Sequence, residues 1–116
     1  MPYQYLNLDY LELMAGDDAN DRHRLLEMLK KDLNAYPTLM QRTFEAKEWA
    51  KLERQAHYFK STLPFTGYKK LIEIHRSVYE QVKEKGSRSE IALLLEQVLQ
   101  HCKIVLEEVQ KELDKG

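Results

Sequence analysis

An all-α chain, folded as an antiparallel four-helix bundle with a short extra N-terminal helix, is what three features of the sequence predict. Breakers are scarce: four glycines and three prolines in 116 residues leave room for long helices. Apolar residues recur three and four positions apart through most of the chain, the helical period. The connections this spacing implies are short, and short connections make consecutive helices antiparallel neighbours.

Residues 1–8 read as an irregular lead-in. Leu8, Tyr10, Leu11, Leu13 and Met14 then make a short helix ended by Gly16, where glycine suits a left-handed cap. Asp17, Asp18, Asn20 and Asp21 follow, N-cap formers and acids that complement a helix N-terminus. The second helix is expected from about Asp18 to Ala46 on the stripe Leu25, Leu29, Leu33, Tyr36, Met40 and Phe44. Pro37 lies inside it and predicts a kink near Leu33–Tyr36. The stripe passes the proline without a phase break, so one helix is preferred to two. The turn at Glu45–Glu48 contains neither Gly nor Pro and is placed by length, since a helix from Asp18 to Leu63 would far exceed about 25 residues.

The third helix covers about Trp49 to Phe65, with Pro64 and Gly67 marking its end. The fourth runs from Tyr68 to Lys85 on Leu71, Ile74, Val78 and Val82, and Gly86 stops it. Ser87 caps the fifth, with Glu90 at capping-box spacing. Ile91, Leu94, Leu95, Val98, Leu99, Cys102, Val105, Leu106, Val109 and Leu113 form its stripe over six turns. Lys111 and Lys115 lie near its C-terminal end, where cations favour the helix dipole. The length suits one domain, residues 1–116, with no internal repeat and no linker.

Composition narrows the function classes. The net charge is −1 with acids and bases interleaved, which argues against nucleic acid or an anionic membrane as partner. No apolar run approaches a membrane span. The one cysteine, Cys102, falls on the apolar stripe and reads as a small core residue in a reducing compartment. Met1–Tyr5 lack the basic and apolar regions of a signal peptide, so the cytoplasm is expected. No glycine-rich phosphate loop is present, hence no ATP site. None of the histidines at 23, 57, 75 and 101 has a glutamate three residues before it, as a bundle metal site would want, and no metal is expected. His23 and His75 read as surface residues.

The stretch Ala56–Gly67 stands out. With His57 as the zero of a wheel at about 100° per residue, Lys60 falls at about 300°, Ser61 at about 40° and Pro64 at about 340°. Leu52, Ala56, Phe59, Leu63 and Thr66 fall between about 180° and 260°. One face is therefore core, and His57, Lys60 and Ser61 crown the other, spaced so that their side chains meet. The pattern His57-x-Phe59-Lys60-Ser61-x5-Gly67 resembles the motif of histidine-phosphotransfer (HPt) domains, His-x-apolar-Lys-small-x5-Gly. The resemblance extends to Leu8–Leu11 and Gly16-Asp17, to the long second helix with its proline, and to Lys47–Leu52 leading into Ala56-His57.

That resemblance implies a carrier without its own kinase activity. His57 would accept a phosphoryl group on a ring nitrogen and exchange it with an aspartate of a receiver domain in a two-component phosphorelay. Its partners would be receiver domains and a hybrid sensor kinase, in a bacterial cytoplasm, with the chain a monomer. The magnesium ion of the reaction would belong to the receiver, so the chain itself needs no cofactor. Lys60 would stabilise phosphoryl charge, because positioning and electrostatics supply most phosphoryl-transfer catalysis. Ser61 and Gly67 would leave room for the receiver, or Gly67 would allow a close helix approach, with Tyr58, Pro64, Phe65 and Tyr68 in the docking surface. Ser61 stands where the family often has glycine, and Pro64 departs from the family pattern: it would bend the motif helix or end it early, and could shift Gly67. Tyr79 stands about where some members carry a glutamine or glutamate that fixes the ring, and it could do so through its hydroxyl; Arg76 and Glu53 are the other candidates. The competing readings are a helical-bundle interaction module without phosphoryl chemistry, and an inert bundle domain of a larger sensor protein.

Overall fold

The computed structural model describes residues 3–115, which are helical apart from a lead-in and short turns. Among them lie five α-helices: α1 (Asp9–Ala15), α2 (Ala19–Glu45), α3 (Trp49–Thr62), α4 (Lys69–Lys83) and α5 (Arg88–Lys115). A 3-10 turn, Leu63–Thr66, joins α3 to α4. α2 packs against α3 and α5, α4 packs against the same two helices, and α1 lies over α2 and the 3-10 turn. The long axis of 43 Å matches the about 42 Å rise of a helix the length of α5.

The predicted stripes lie on the core side, with their edges shifted. On α5 Ile91, Leu95, Val98, Cys102, Val105, Val109 and Leu113 are buried, while Leu94, Leu99 and Leu106 are partly buried. On α2 Leu29, Leu33 and Met40 are buried, Leu25, Tyr36 and Phe44 are partly buried, and Leu26, outside the expected stripe, joins the core; the helix runs through the buried Pro37 without a break. Asp18 caps α2 by accepting hydrogen bonds from the Asn20 and Asp21 amides at 2.8 and 3.3 Å, which satisfies two of the amides a helix start leaves free. Among the described residues no helix is long and apolar enough to cross a membrane.

The ends of α3 and α4 differ from the sequence expectation, while the turn placed by length at Glu45–Glu48 forms there. The weakly signalled turn after α2 is made by Lys47, in left-handed conformation (φ 59°). Its amide reaches Phe44 O and the Glu48 amide reaches Thr43 O, the paired bonds of a Schellman ending. α4 ends the same way, and the left-handed residue is Lys85 (φ 58°), not Gly86. α3 ends at Thr62, three residues early, because Pro64 cannot donate to the α-helical ladder; the chain continues as a 3-10 turn with the proline in its first positions. Of the expected capping box at α5 one half forms, Glu90 N to Ser87 Oγ at 3.4 Å.

The lead-in is tied down along its length. A single carboxylate, Glu108, accepts from the amides of Gln4, Tyr5 and Leu6 at 3.2, 2.9 and 2.8 Å. Tyr3 donates to Glu112, which also receives Arg22 at 2.7 Å. The Asn7 amide donates to Thr66 O at 2.9 Å, pinning the lead-in to the 3-10 turn.

Candidate functional site

α3 is amphipathic in the sense the wheel predicts. Leu52, Ala56, Phe59, Leu63 and Thr66 are all at most 1% exposed. His57, Lys60 and Ser61 lie exposed on the other side. The exposed histidine is thus held by a helix whose opposite face is anchored in the core.

α4 supplies the residue that meets this face. The Tyr79 ring lies 5.6 Å from that of His57, centroid to centroid, tilted by 45°. Lys60 Nζ stands 4.7 Å from the centre of the same ring, and Lys83 Nζ 5.9 Å. An ammonium over an exposed aromatic face gains about 0.5–1 kcal/mol. Tyr79 therefore meets the imidazole and both ammonium groups. It does so with its ring face: no hydrogen bond joins its hydroxyl to His57, which corrects the expected mode of contact. Glu53 forms no hydrogen bond or ion pair with the ring either, and Arg76 lies exposed one helical turn before Tyr79.

The other expected site residues are placed as follows. Ser61 Oγ donates to Tyr58 O at 2.6 Å, so its hydroxyl is engaged with its own helix. Pro64 lines a shallow hollow of about 290 Å³ with Lys60, Leu63, Ile72, His75 and Arg76. Tyr68 is half-buried on another side, with its hydroxyl 2.6 Å from His101 Nδ1 and its ring 5.1 Å from Tyr5. Phe65 packs on Tyr10 at 5.1 Å. Gly67 is left-handed (φ 60°), and a Cβ there would collide with the backbone oxygen and Cβ of Asn7. Its lack of a side chain is thus required by the chain's own lead-in as well as by its φ.

Tyr58 is half-exposed but anchored. Its ring stacks on Tyr36 at 5.0 Å, and its hydroxyl donates to Asp32 Oδ2 at 2.9 Å. Thr62 Oγ1 donates to the same oxygen at 3.0 Å. The hydrogen bond to the Asp32 carboxylate, aided by burial, raises the Tyr58 pKa. Asp32, 5% exposed, is a polar centre that sequence reasoning missed. The signal was present: Asp32 sits three residues after Leu29 and four before Tyr36, an acid on an apolar stripe.

His75 is the larger correction. Read as a surface residue, it is 1% exposed. Its Nε2 lies 2.8 Å from the carbonyl oxygen of Ala56, and its ring meets Phe59 edge-on at 5.2 Å. A carbonyl can only accept, so Nε2 carries the proton and Nδ1 is the bare nitrogen; Nδ1 is buried without a partner. Burial lowers its pKa to about 4, with the Lys60 charge acting in the same direction and the Ala56 bond opposing it. His75 is a neutral interior side chain. Its spacing allowed this, four residues after Leu71 on the α4 stripe, and the type of residue hid it.

Cys102 is buried and free, its thiol pKa raised by burial, so it is no nucleophile. His23 is exposed beside Glu27 at 3.7 Å. No group of three or more metal-ligating side chains occurs among the described residues. No protein-family model, no curated protein and no solved structure matches the chain.

Proposed function

We propose that the chain is a histidine-containing phosphotransfer protein, an antiparallel four-helix bundle with a short N-terminal helix, that relays a phosphoryl group between His57 and a receiver-domain aspartate. The observation that carries this reading is the exposed His57 on a core-anchored helix, with Lys60 one turn on and the Tyr79 ring in contact with both His57 and Lys60. The motif resemblance at His57, Lys60, Ser61 and Gly67 supports the same reading.

In the proposed step, a bare ring nitrogen of His57 attacks the phosphorus of the receiver's aspartyl phosphate. A nitrogen–phosphorus bond forms, the anhydride phosphorus–oxygen bond breaks, and the aspartate leaves as a carboxylate. Exposure of the ring lets the partner approach in line. The Lys60 ammonium offsets charge on the equatorial phosphoryl oxygens, the role electrostatics plays in such transfers. On this reading the chain is a carrier between a hybrid sensor kinase and its receivers, in the cytoplasm of a bacterium and as a monomer. Transfer of label from phosphorylated receivers to wild-type chain but not to His57→Gln tests the proposal.

A further inference from the structure

A second surface lies at the end of the molecule formed by the α2–α3 and α4–α5 turns. There Trp49, Val82 and Ile91 floor an apolar hollow of about 280 Å³, rimmed by Lys85, Gly86 and Arg88. That volume is just below the about 300–1,000 Å³ typical of drug-sized ligand sites, which suits a small ligand. It shares no residue with the His57 face, and Trp49 precedes His57 by about 12 Å along α3.

The charge on the rim has one sign: both charged side chains lining the hollow are cations. The Arg88 guanidinium lies 5.2 Å from the Trp49 ring centre and also borders an adjoining hollow that holds Lys47 and Glu45. Glu48, the other acid of the α2–α3 turn, is engaged with Lys51 at 3.7 Å. Two residues here go against local preference. Lys85 takes a left-handed conformation that glycine would take at lower cost, although Gly86 is the next residue. Arg88 puts a cation in the first turn of α5, where the helix dipole favours an acid such as its neighbour Glu90. Such departures concentrate where a side chain serves something other than the fold.

We propose that this hollow binds a small organic anion with a flat apolar body, an aromatic carboxylate in kind. The body rests on Trp49, Val82 and Ile91, and the carboxylate meets Lys85 and Arg88. The anion would offset the two features that are unfavourable in its absence, the first-turn cation and the concentration of positive charge at one rim.

Trp49 is the one tryptophan of the chain, so its indole N–H gives a single, unambiguous amide-correlation NMR peak. The experiment titrates the full ¹⁵N-labelled chain with 1-naphthoate, and in parallel with the uncharged 1-naphthalenemethanol. The proposal expects a saturable shift of the indole peak with naphthoate. It expects at least about tenfold weaker binding of the alcohol, and of naphthoate to Lys85→Glu/Arg88→Glu, because a charge-assisted contact is lost in each case. Both residues are exposed, so the variant should keep the wild-type melting curve, which is measured alongside. Lys103→Glu/Lys111→Glu, with the same charge change on exposed residues elsewhere, should bind as wild type. No saturable indole shift, an alcohol that binds as tightly, an unaffected Lys85/Arg88 variant, or equal loss in the remote control each overturns the proposal.

Discussion

His57 and His75 are the same side chain in opposite surroundings, and they meet at one peptide unit. His57 stands in solvent on α3 with Tyr79 and Lys60 beside it. His75, on α4, is sealed in the interior and donates to the carbonyl of Ala56, the residue immediately before His57. In α-helical geometry that carbonyl also takes the amide of Lys60, and its two lone pairs can serve both donors. The buried histidine thus ties α4 to the very turn of α3 that presents the exposed one and the lysine. Imidazole chemistry is decided here by burial: one ring is open to a partner, and the other is a neutral structural clamp.

The contrast is broken most directly by removing each ring. His75→Ala deletes a fully buried ring and its hydrogen bond, and should cost about 3–4 kcal/mol in urea unfolding. Equal costs at the two positions would mean that the clamp does not exist.

Acid should act on His75 in a defined window. Its folded pKa, about 4, lies below the ordinary histidine value of 6.5. Between these the unfolded chain binds a proton that the folded chain refuses, so stability rises with pH there. The contribution is fully present above pH 6.5 and is lost as pH falls through 4, to a total of about 3 kcal/mol. Wild type should lose stability across that window relative to His75→Met, as followed by chemical unfolding at a series of pH values. Parallel curves for the two proteins would show that His75 is not buried neutral.

A smaller effect is expected on the opposite flank of α3. Asp32→Ala leaves the Tyr58 and Thr62 hydroxyls without their acceptor and should cost about 1–3 kcal/mol. It should also bring the Tyr58 ionisation down toward the ordinary tyrosine range, read by ultraviolet titration against wild type, because the raised pKa arises first from the Asp32 hydrogen bond.

On the exposed side, Lys60→Ala should slow phosphoryl transfer by about tenfold while leaving the unfolding curve in place. An unchanged rate would remove the charge-stabilising role. The smallest effect belongs to His57→Ala, expected to change stability by no more than about 0.5 kcal/mol, since the ring makes no hydrogen bond and faces solvent.

Much of this was legible in the residues themselves. The stripe of α5, most of that of α2, the acidic cluster from which Asp18 caps α2, the glycine end of α1 and both faces of α3 follow from period and capping chemistry alone. The misses share a physical cause: the residue type argued against the environment it occupies. Lys47 and Lys85 take a conformation that local rules assign to glycine. Asp32 and His75 lie on apolar stripes, and each is tolerated in the interior because hydrogen bonds reach it from another helix, which no single-helix pattern can display. Gly67 was expected to leave room for a receiver or for a close helix approach; the close approach is made by the lead-in sixty residues earlier, through Asn7. Its partner lay too far away in sequence for spacing to find.

The central claim is that His57 carries the phosphoryl group, and direct transfer tests it. A panel of purified receiver domains, labelled on their aspartates, is mixed with wild-type chain and with His57→Gln. Label should pass from at least one receiver to the wild-type chain and from none to the variant. Equal labelling of both chains, or no labelling of the wild type by any receiver, would contradict it.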